Sequence, residues 1–238
     1  MKISITRALN YFDIGPDYRV TLGSLFRVLQ EASSKHSDIA ENGMTATGRR
    51  WVLNRLSIEI DRYPVYGETV TAATWHRASK GYKAYRDYEL FSGGTRVAAA
   101  TTIWLYYDLD AARLLKVPRD TGEKYGVVAE TATRFDLEGW KPETEINPRC
   151  TTQITTRPSD YDPLRHVNNA VYLDYLSTVL FRNNIDPGRI NTVCLQYNKQ
   201  IGQDVEMVEA GFDMNGNVGK FKFYDNNTAF AAGKWEFS

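Results

Sequence analysis

Residues 55–61, Arg-Leu-Ser-Ile-Glu-Ile-Asp, set Leu56, Ile58 and Ile60 against Arg55, Ser57, Glu59 and Asp61. A period of two is the spacing of side chains on one face of a strand, so this segment predicts a half-buried strand. Residues 68–75, 82–91 and 96–107 carry the same kind of pattern. Ser92-Gly93-Gly94 lies between the last two and predicts the reversing turn, because glycine supplies positive φ at little cost. Upstream the period changes. Over about 22–42, Leu25, Val28, Leu29, Ala32 and Ile39 fall along one helical face, with His36 in the same stripe. Thr21 is the predicted N-cap and Gly43 the predicted stop. The first half therefore reads strand, long helix, then a run of antiparallel strands, an α+β arrangement.

The second half repeats that order. At an offset of 147, residues 12–26 lie on 159–173, with Asp13 on Asp160, Pro16 on Pro163 and Val20 on Val167. Past each helix, an offset of 135 places 60–70 on 195–205, with Gly67 on Gly202 and Val70 on Val205. Matching element order makes internal duplication the better explanation of these weak identities. Residues 130–149 are polar, contain Pro142 and Pro148, and lack clear periodicity, which reads as a linker. The expected division is 1–128, a linker at 129–149, and 150–238. Each unit wraps a sheet around one long helix, and clefts are expected where the two units meet.

Composition narrows the classes. Lys plus Arg and Asp plus Glu each number 29, so bulk charge suggests neither wholesale nucleic-acid binding nor an anionic membrane partner. No window approaches the roughly 18 apolar residues of a membrane span, and the start has no apolar core of signal-peptide length. Two cysteines, Cys150 and Cys194, cannot build a disulfide framework or a four-cysteine zinc site. Free thiols in a reducing compartment, and so a cytoplasmic setting, are expected. With three histidines at no ligand-like spacing, no metal site is expected.

The candidate chemistry lies where the copies disagree. Asp162 of the second copy faces Gly15 of the first, and His166 faces Arg19. A cap that the fold requires should occur twice; this pair occurs once, which favours chemistry. Asn168 or Asn169 is the expected N-cap of a helix with Tyr172, Leu176, Val179 and Leu180 on one face. The amides at that helix start, Val167, Asn168 and Asn169, carry partial positive charge and could hold a developing oxyanion. Carbonyl hydrolysis needs a base or nucleophile and such donors within reach of one atom. Asp160, repeated as Asp13, is read as a turn or capping residue.

Three stretches, "SDYDPLRHVNNAVYL" (159–173), "WVLNRLSIEIDRYPVYGETVTAATW" (51–75) and "ARLLKVPRD" (112–120), together resemble the acyl-acyl carrier protein thioesterases of plants and bacteria. The resemblance spans nearly the whole chain. It implies a tandem (double) hotdog fold and hydrolysis of the thioester between a fatty acyl chain and carrier-protein phosphopantetheine. It also implies a catalytic C-terminal unit, an N-terminal unit supplying much of the acyl pocket, and no metal or bound cofactor. Asp162 and His166 match the family's catalytic aspartate and histidine. The chain departs from the pattern elsewhere: Leu164 replaces the usual asparagine, Gln200 the usual glutamate, and Ile201 the plant cysteine. Glutamine cannot act as a base but can orient water through its amide. Asp162 is then the candidate base or nucleophile, His166 positions or polarises the substrate, and Gln200 holds water. Acyl carrier protein is the implied partner, with a homodimer also open. An acyl-CoA thioesterase and a lapsed acyl-thioester-binding protein are the alternatives.

The other polar and aromatic candidates have plainer readings. His36 is expected as a hydrogen-bonded core histidine and His76 as a turn or surface residue. Trp51, Trp75 and Trp104 are expected in the core. The basic residues of 77–86 and 113–119 could meet an acidic carrier, but solvated surface is the plainer expectation.

Overall fold

The computed structural model describes residues 1–41, 48–143 and 146–238. The first half contains β1 (Lys2–Ala8), α1 (Leu22–Glu41), β2 (Arg49–Ile60), β3 (Thr69–Lys80), β4 (Lys83–Ser92), β5 (Thr95–Asp108), the two-residue β6 (Arg113–Leu114) and the short α2 (Thr121–Tyr125). The second contains β7 (Cys150–Thr155), α3 (Val171–Arg182), β8 (Ile190–Tyr197), β9 (Met207–Asn215), β10 (Val218–Asp225) and β11 (Thr228–Phe237). The predicted strands and both helices are present, and Gly93 and Gly94 turn with φ of 57° and 77°.

All strands join one sheet in the order β1-β3-β4-β5-β2-β8-β11-β10-β9-β7, with β6 on β5. The order within the first half is mirrored by the second. The halves meet through antiparallel pairing of β2 with β8, from Arg55 opposite Gln196 to Glu59 opposite Thr192. Ser57 faces Cys194 at the centre of that pairing. Both helices sit against the sheet's inner face. Leu25, Phe26, Val28, Leu29 and Ala32 of α1 and Tyr172, Leu173, Leu176, Val179 and Leu180 of α3 enter one continuous core.

The α1 stripe ends earlier than its sequence pattern. Thr21 Oγ1 accepts the Ser24 N–H at 3.2 Å, as an N-cap should. Ile39, however, is 51% exposed, because the last turn of α1 is largely solvated. Gly43, the expected stop, lies outside the described residues.

Other positions also differ from expectation. His76 is not a surface residue: it lies within β3, 3% exposed, with Nε2 3.1 Å from Ser79 Oγ. The strand runs to Lys80, past the point where the apolar alternation fades. His36 is fully buried between Tyr125 O at 3.1 Å and the Arg86 guanidinium at 3.0 Å. Trp75 is fully buried, whereas Trp51 and Trp104 are half-buried and hydrogen bond to Glu41 and Thr102. Of the basic residues in 77–86, Arg86 is buried, Arg77 pairs with Asp87 and Lys83 with Glu138.

The segment following the first half, read as a linker, crosses the sheet's outer face. Phe135, Leu137 and Trp140 pack on Tyr85 and Ile103. The Arg55 guanidinium donates to the carbonyls of Leu137, Glu138 and Trp140 at 3.1, 2.9 and 2.6 Å. Buried Asp87 accepts the Ala132 N–H and the Thr101 hydroxyl at 3.0 and 2.7 Å. These side-chain-to-backbone bonds do the work of a strand ladder, which explains why no periodicity announces the segment.

Candidate functional site

The repeat at 147 is a repeat of backbone geometry. In the first copy Thr21 N–H donates to Asp13 O at 3.0 Å and Gly15 N–H to Arg19 O at 2.8 Å. In the second, Asn168 N–H donates to Asp160 O and Asp162 N–H to His166 O, both at 2.8 Å. Tyr18 and Arg165 hold the same left-handed conformation, with φ of 61° and 62°. Asp13 and Asp160 play the same part. Asp13 is bonded by Arg7 and the Asn10 N–H. Asp160 is bonded by Arg157, its N–H and the Tyr175 hydroxyl. Both are buried, as a shared structural turn requires.

The second part of the repeat holds with a corrected register. Val20 N–H reaches Pro64 O at 2.8 Å, and Val167 N–H reaches Ile201 O at 2.9 Å. Arg19 bridges Val65, and His166 bridges Gly202. The offset at this strand exit is therefore 137, not 135, so Gly202 answers to Val65 and Gly67 to Asp204. The identical glycines misled the alignment: Gly67 adopts a positive φ of 81°, a conformation Gly202 does not share.

On this common loop the side chains diverge. Asp162 Oδ1 accepts the Leu164 N–H at 2.8 Å and the His166 N–H at 3.3 Å, which fixes the carboxylate over its own turn. Among the described residues its second oxygen has no protein hydrogen bond. The His166 ring makes no ion pair with Asp162; only the His166 backbone bonds to that residue, its carbonyl to the Asp162 N–H and its N–H to the Asp162 carboxylate. Its Nδ1 is buried without a partner. The bridge from His166 to Gly202 brings the segment of Gln200 to this loop, and Gln200 is exposed. In the first copy the equivalent turn carries glycine instead of aspartate, and Arg19 is consumed by Asp17 and by Asp186 at 3.3 Å.

The helix start is built by Asn168. Its Oδ1 accepts the Ala170 N–H at 2.9 Å and its carbonyl the Val171 N–H at 2.9 Å. Helix α3 proper begins at Val171, later than the asparagines suggest, because this Asx turn precedes it. Of the three amides considered as oxyanion donors, Val167 and Asn168 are already spent on Ile201 and Asp160. The Asn169 N–H has no acceptor among the described residues.

Two tyrosines back the site. Tyr197 Oη donates to Asn169 O at 2.9 Å, and its ring meets Tyr172 edge-on at 5.1 Å. Burial, with the Asp162 carboxylate nearby, pushes the Tyr172 hydroxyl well above its usual range. The helical period identified Tyr172 only as a core position, and nothing in the sequence tied Tyr197 to the loop. Two cavities, of about 600 and 310 Å³, lie elsewhere: one between Arg77, Tyr85 and the crossing segment, the other beside His76 and Arg119. Among the described residues no cluster of His, Cys, Asp and Glu is placed to hold a metal ion, and no helix is long and apolar enough to cross a membrane.

Comparison with known proteins agrees with this two-copy architecture. The chain resembles the oleoyl-acyl carrier protein thioesterase 1 of Arabidopsis thaliana, 26% identical over 212 residues that cover 81% of this chain and 59% of the relative. It also resembles the dodecanoyl-acyl carrier protein hydrolase of Cinnamomum camphora, at 25% over 215 residues, covering 84% and 56%. The chain thus spans between half and three-fifths of the length of these curated relatives. In fold it matches the 12:0-ACP thioesterase of Umbellularia californica, with a TM-score of 0.85, 21% identity and coverage of 100% and 97%. An acyl-ACP thioesterase of Bacteroides thetaiotaomicron gives 0.84, 18%, and 100% and 98%. These likenesses establish the double hotdog fold. The acyl-ACP thioesterase N-terminal domain model matches residues 5–125 and the C-terminal domain model residues 143–232, so the chain belongs to the acyl-ACP thioesterase family.

Proposed function

We propose that this chain hydrolyses fatty acyl thioesters carried on acyl carrier protein, releasing free fatty acid. The observation that carries the reading is the asymmetry of the repeat. One loop geometry occurs twice, yet a carboxylate and an imidazole occupy it only at Asp162 and His166. Family membership supports thioester hydrolysis, and the names of the curated relatives support carrier protein as the thiol partner.

In the proposed reaction Asp162 takes a proton from water through the oxygen its own turn leaves unbonded. The hydroxide adds to the thioester carbonyl, and the Asn169 N–H at the helix start bears the oxyanion. Collapse breaks the C–S bond, and the proton on Asp162 passes to the departing sulfur. The buried, unpartnered Nδ1 of His166 suits it to orienting the thioester, and exposed Gln200 is placed to hold the water. The second half, 150–238, carries this chemistry, while the first, 1–128, supplies acyl-binding surface across 129–149. A cytoplasmic setting belongs to the same reading and is supported by two unpaired cysteines.

The test compares wild type and Asp162→Asn on one acyl chain attached to carrier protein or to CoA. Hydrolysis of the carrier-protein thioester, lost in the variant, is expected. Equal activity in the variant would remove Asp162 from the mechanism, and preference for CoA would reassign the substrate.

A further inference from the structure

The first copy of the loop has no acid or base, but it is not bare. Tyr11, Phe12, Tyr18, Val65 and Tyr66 are 72%, 93%, 64%, 41% and 54% exposed. They form one surface, because the two turns that bear them are laced together. Tyr66 N–H donates to Tyr18 O at 2.9 Å, Leu9 N–H to Glu68 O at 2.8 Å, and Arg19 bridges Val65. The second copy serves as an internal control. Its equivalent positions are Pro158, Ser159, Arg165, Gly202 and Gln203. The same backbone therefore folds without any of these apolar side chains, and the fold does not explain them.

We propose that this patch is a docking surface for the interface of a zwitterionic phospholipid bilayer. Charge argues for that occupant. The surrounding ions neutralise one another: Arg7 with Asp13, Arg19 with Asp17, and Arg62 with Glu68 at 2.7 Å. No cation is left over in these pairs to select an acidic protein or an anionic lipid. Shape argues the same way. Phe12 protrudes almost completely, so a rigid partner would need a fitted pocket, whereas a soft interface accepts any protruding ring. Tyrosines flanking a phenylalanine suit the boundary between headgroup and acyl layers, where an apolar ring and a polar tip are both satisfied. Given the proposed function, the contact also supplies a sink for an insoluble product.

The test is sedimentation of the full chain with phosphatidylcholine vesicles, for wild type and the triple variant Phe12→Ser, Tyr18→Asn and Tyr66→Ser. Asparagine tolerates the positive φ at position 18. The partition coefficient should fall at least tenfold in the variant and change little between low and high salt. Phe12→Trp should bind like wild type, with its emission quenched by brominated acyl chains. Absence of wild-type binding, or equal binding by the triple variant, overturns the proposal. Binding that requires anionic lipid and disappears in salt overturns it too. So does a dimer in light scattering that the triple variant abolishes, without lipid binding. The catalytic proposal is read separately by hydrolysis of soluble acyl carrier protein substrate in Asp162→Asn, a variant that should bind vesicles like wild type.

Discussion

Arg27 and Asp174 stand 147 residues apart, the same interval that superposes the two copies, and they pair with each other where α1 meets α3. The pair thus occupies equivalent positions about the pseudo-two-fold axis, with opposite charges. Gly23 leaves the space for it, since a Cβ there would collide with the Asp174 carboxylate. Arg27→Ala removes the cation beside a carboxylate whose pKa burial already raises, and, because both side chains keep solvent access, should cost up to about 1 kcal/mol in urea denaturation. The charge-swapped double variant, Arg27→Asp with Asp174→Arg, should recover most of that loss. Failure to recover would show that the site discriminates between the two helices.

The catalytic proposal separates Asp162 from its neighbours. Asp162→Asn should lower kcat by roughly two to four orders of magnitude, the usual range for a general base, with little change in melting temperature. Gln200→Ala should cost only about tenfold, because an amide that holds water is more easily replaced by solvent. Steady-state kinetics alongside thermal melts distinguishes these outcomes.

Tyr197 tests the helix start. Tyr197→Phe leaves the Asn169 carbonyl without its hydroxyl donor while preserving the ring contact with Tyr172. A loss in kcat with KM unchanged is expected if this bond to the carbonyl holds the Asn169 backbone so that its N–H bears the oxyanion. Asn168→Ala, in contrast, should cost about 1 kcal/mol of stability through the lost Asx-turn hydrogen bond to the Ala170 N–H.

Stability should depend on pH through the first half. Burial, and secondarily the Arg86 charge, hold His36 and His76 each down to about 4. A depressed histidine pKa means the unfolded chain binds more protons as pH falls below the ordinary value of 6.5. The stabilising difference is therefore full above pH 6.5 and lost as pH falls toward 4. Melting temperature should drop across that window, and less steeply in His76→Gln.

Arg55 should control the crossing segment. Arg55→Ala removes the donor to three carbonyls, so residues 134–140 should gain amide exchange and protease sensitivity before any other part of the sheet.

The fold was legible wherever one face of an element is buried. The alternation at 55–61 and the stripe from Leu25 to Ala32 follow from that alone, and the order of elements then exposed the duplication. Asp162 and His166 stood out as candidates because the repeat supplied a control for each position. What escaped depends on contacts distant in sequence. His76 looked exposed because it follows the apolar alternation of its strand, yet α1 and α2 cover it. Tyr197 joined the candidate site only because β8 brings its hydroxyl to the Asn169 carbonyl. The Gly67–Gly202 match failed because residue identity does not fix φ.

The β2–β8 pairing, centred on Ser57 and Cys194, makes the contact between the two copies part of a single polypeptide. Such an interface holds at any dilution, unlike one between separate chains, whose occupancy follows concentration. A substitution on one side is also felt once per molecule rather than twice. Within that one molecule the two copies differ side by side: Gly15 and Arg19 stand in one where Asp162 and His166 stand in the other.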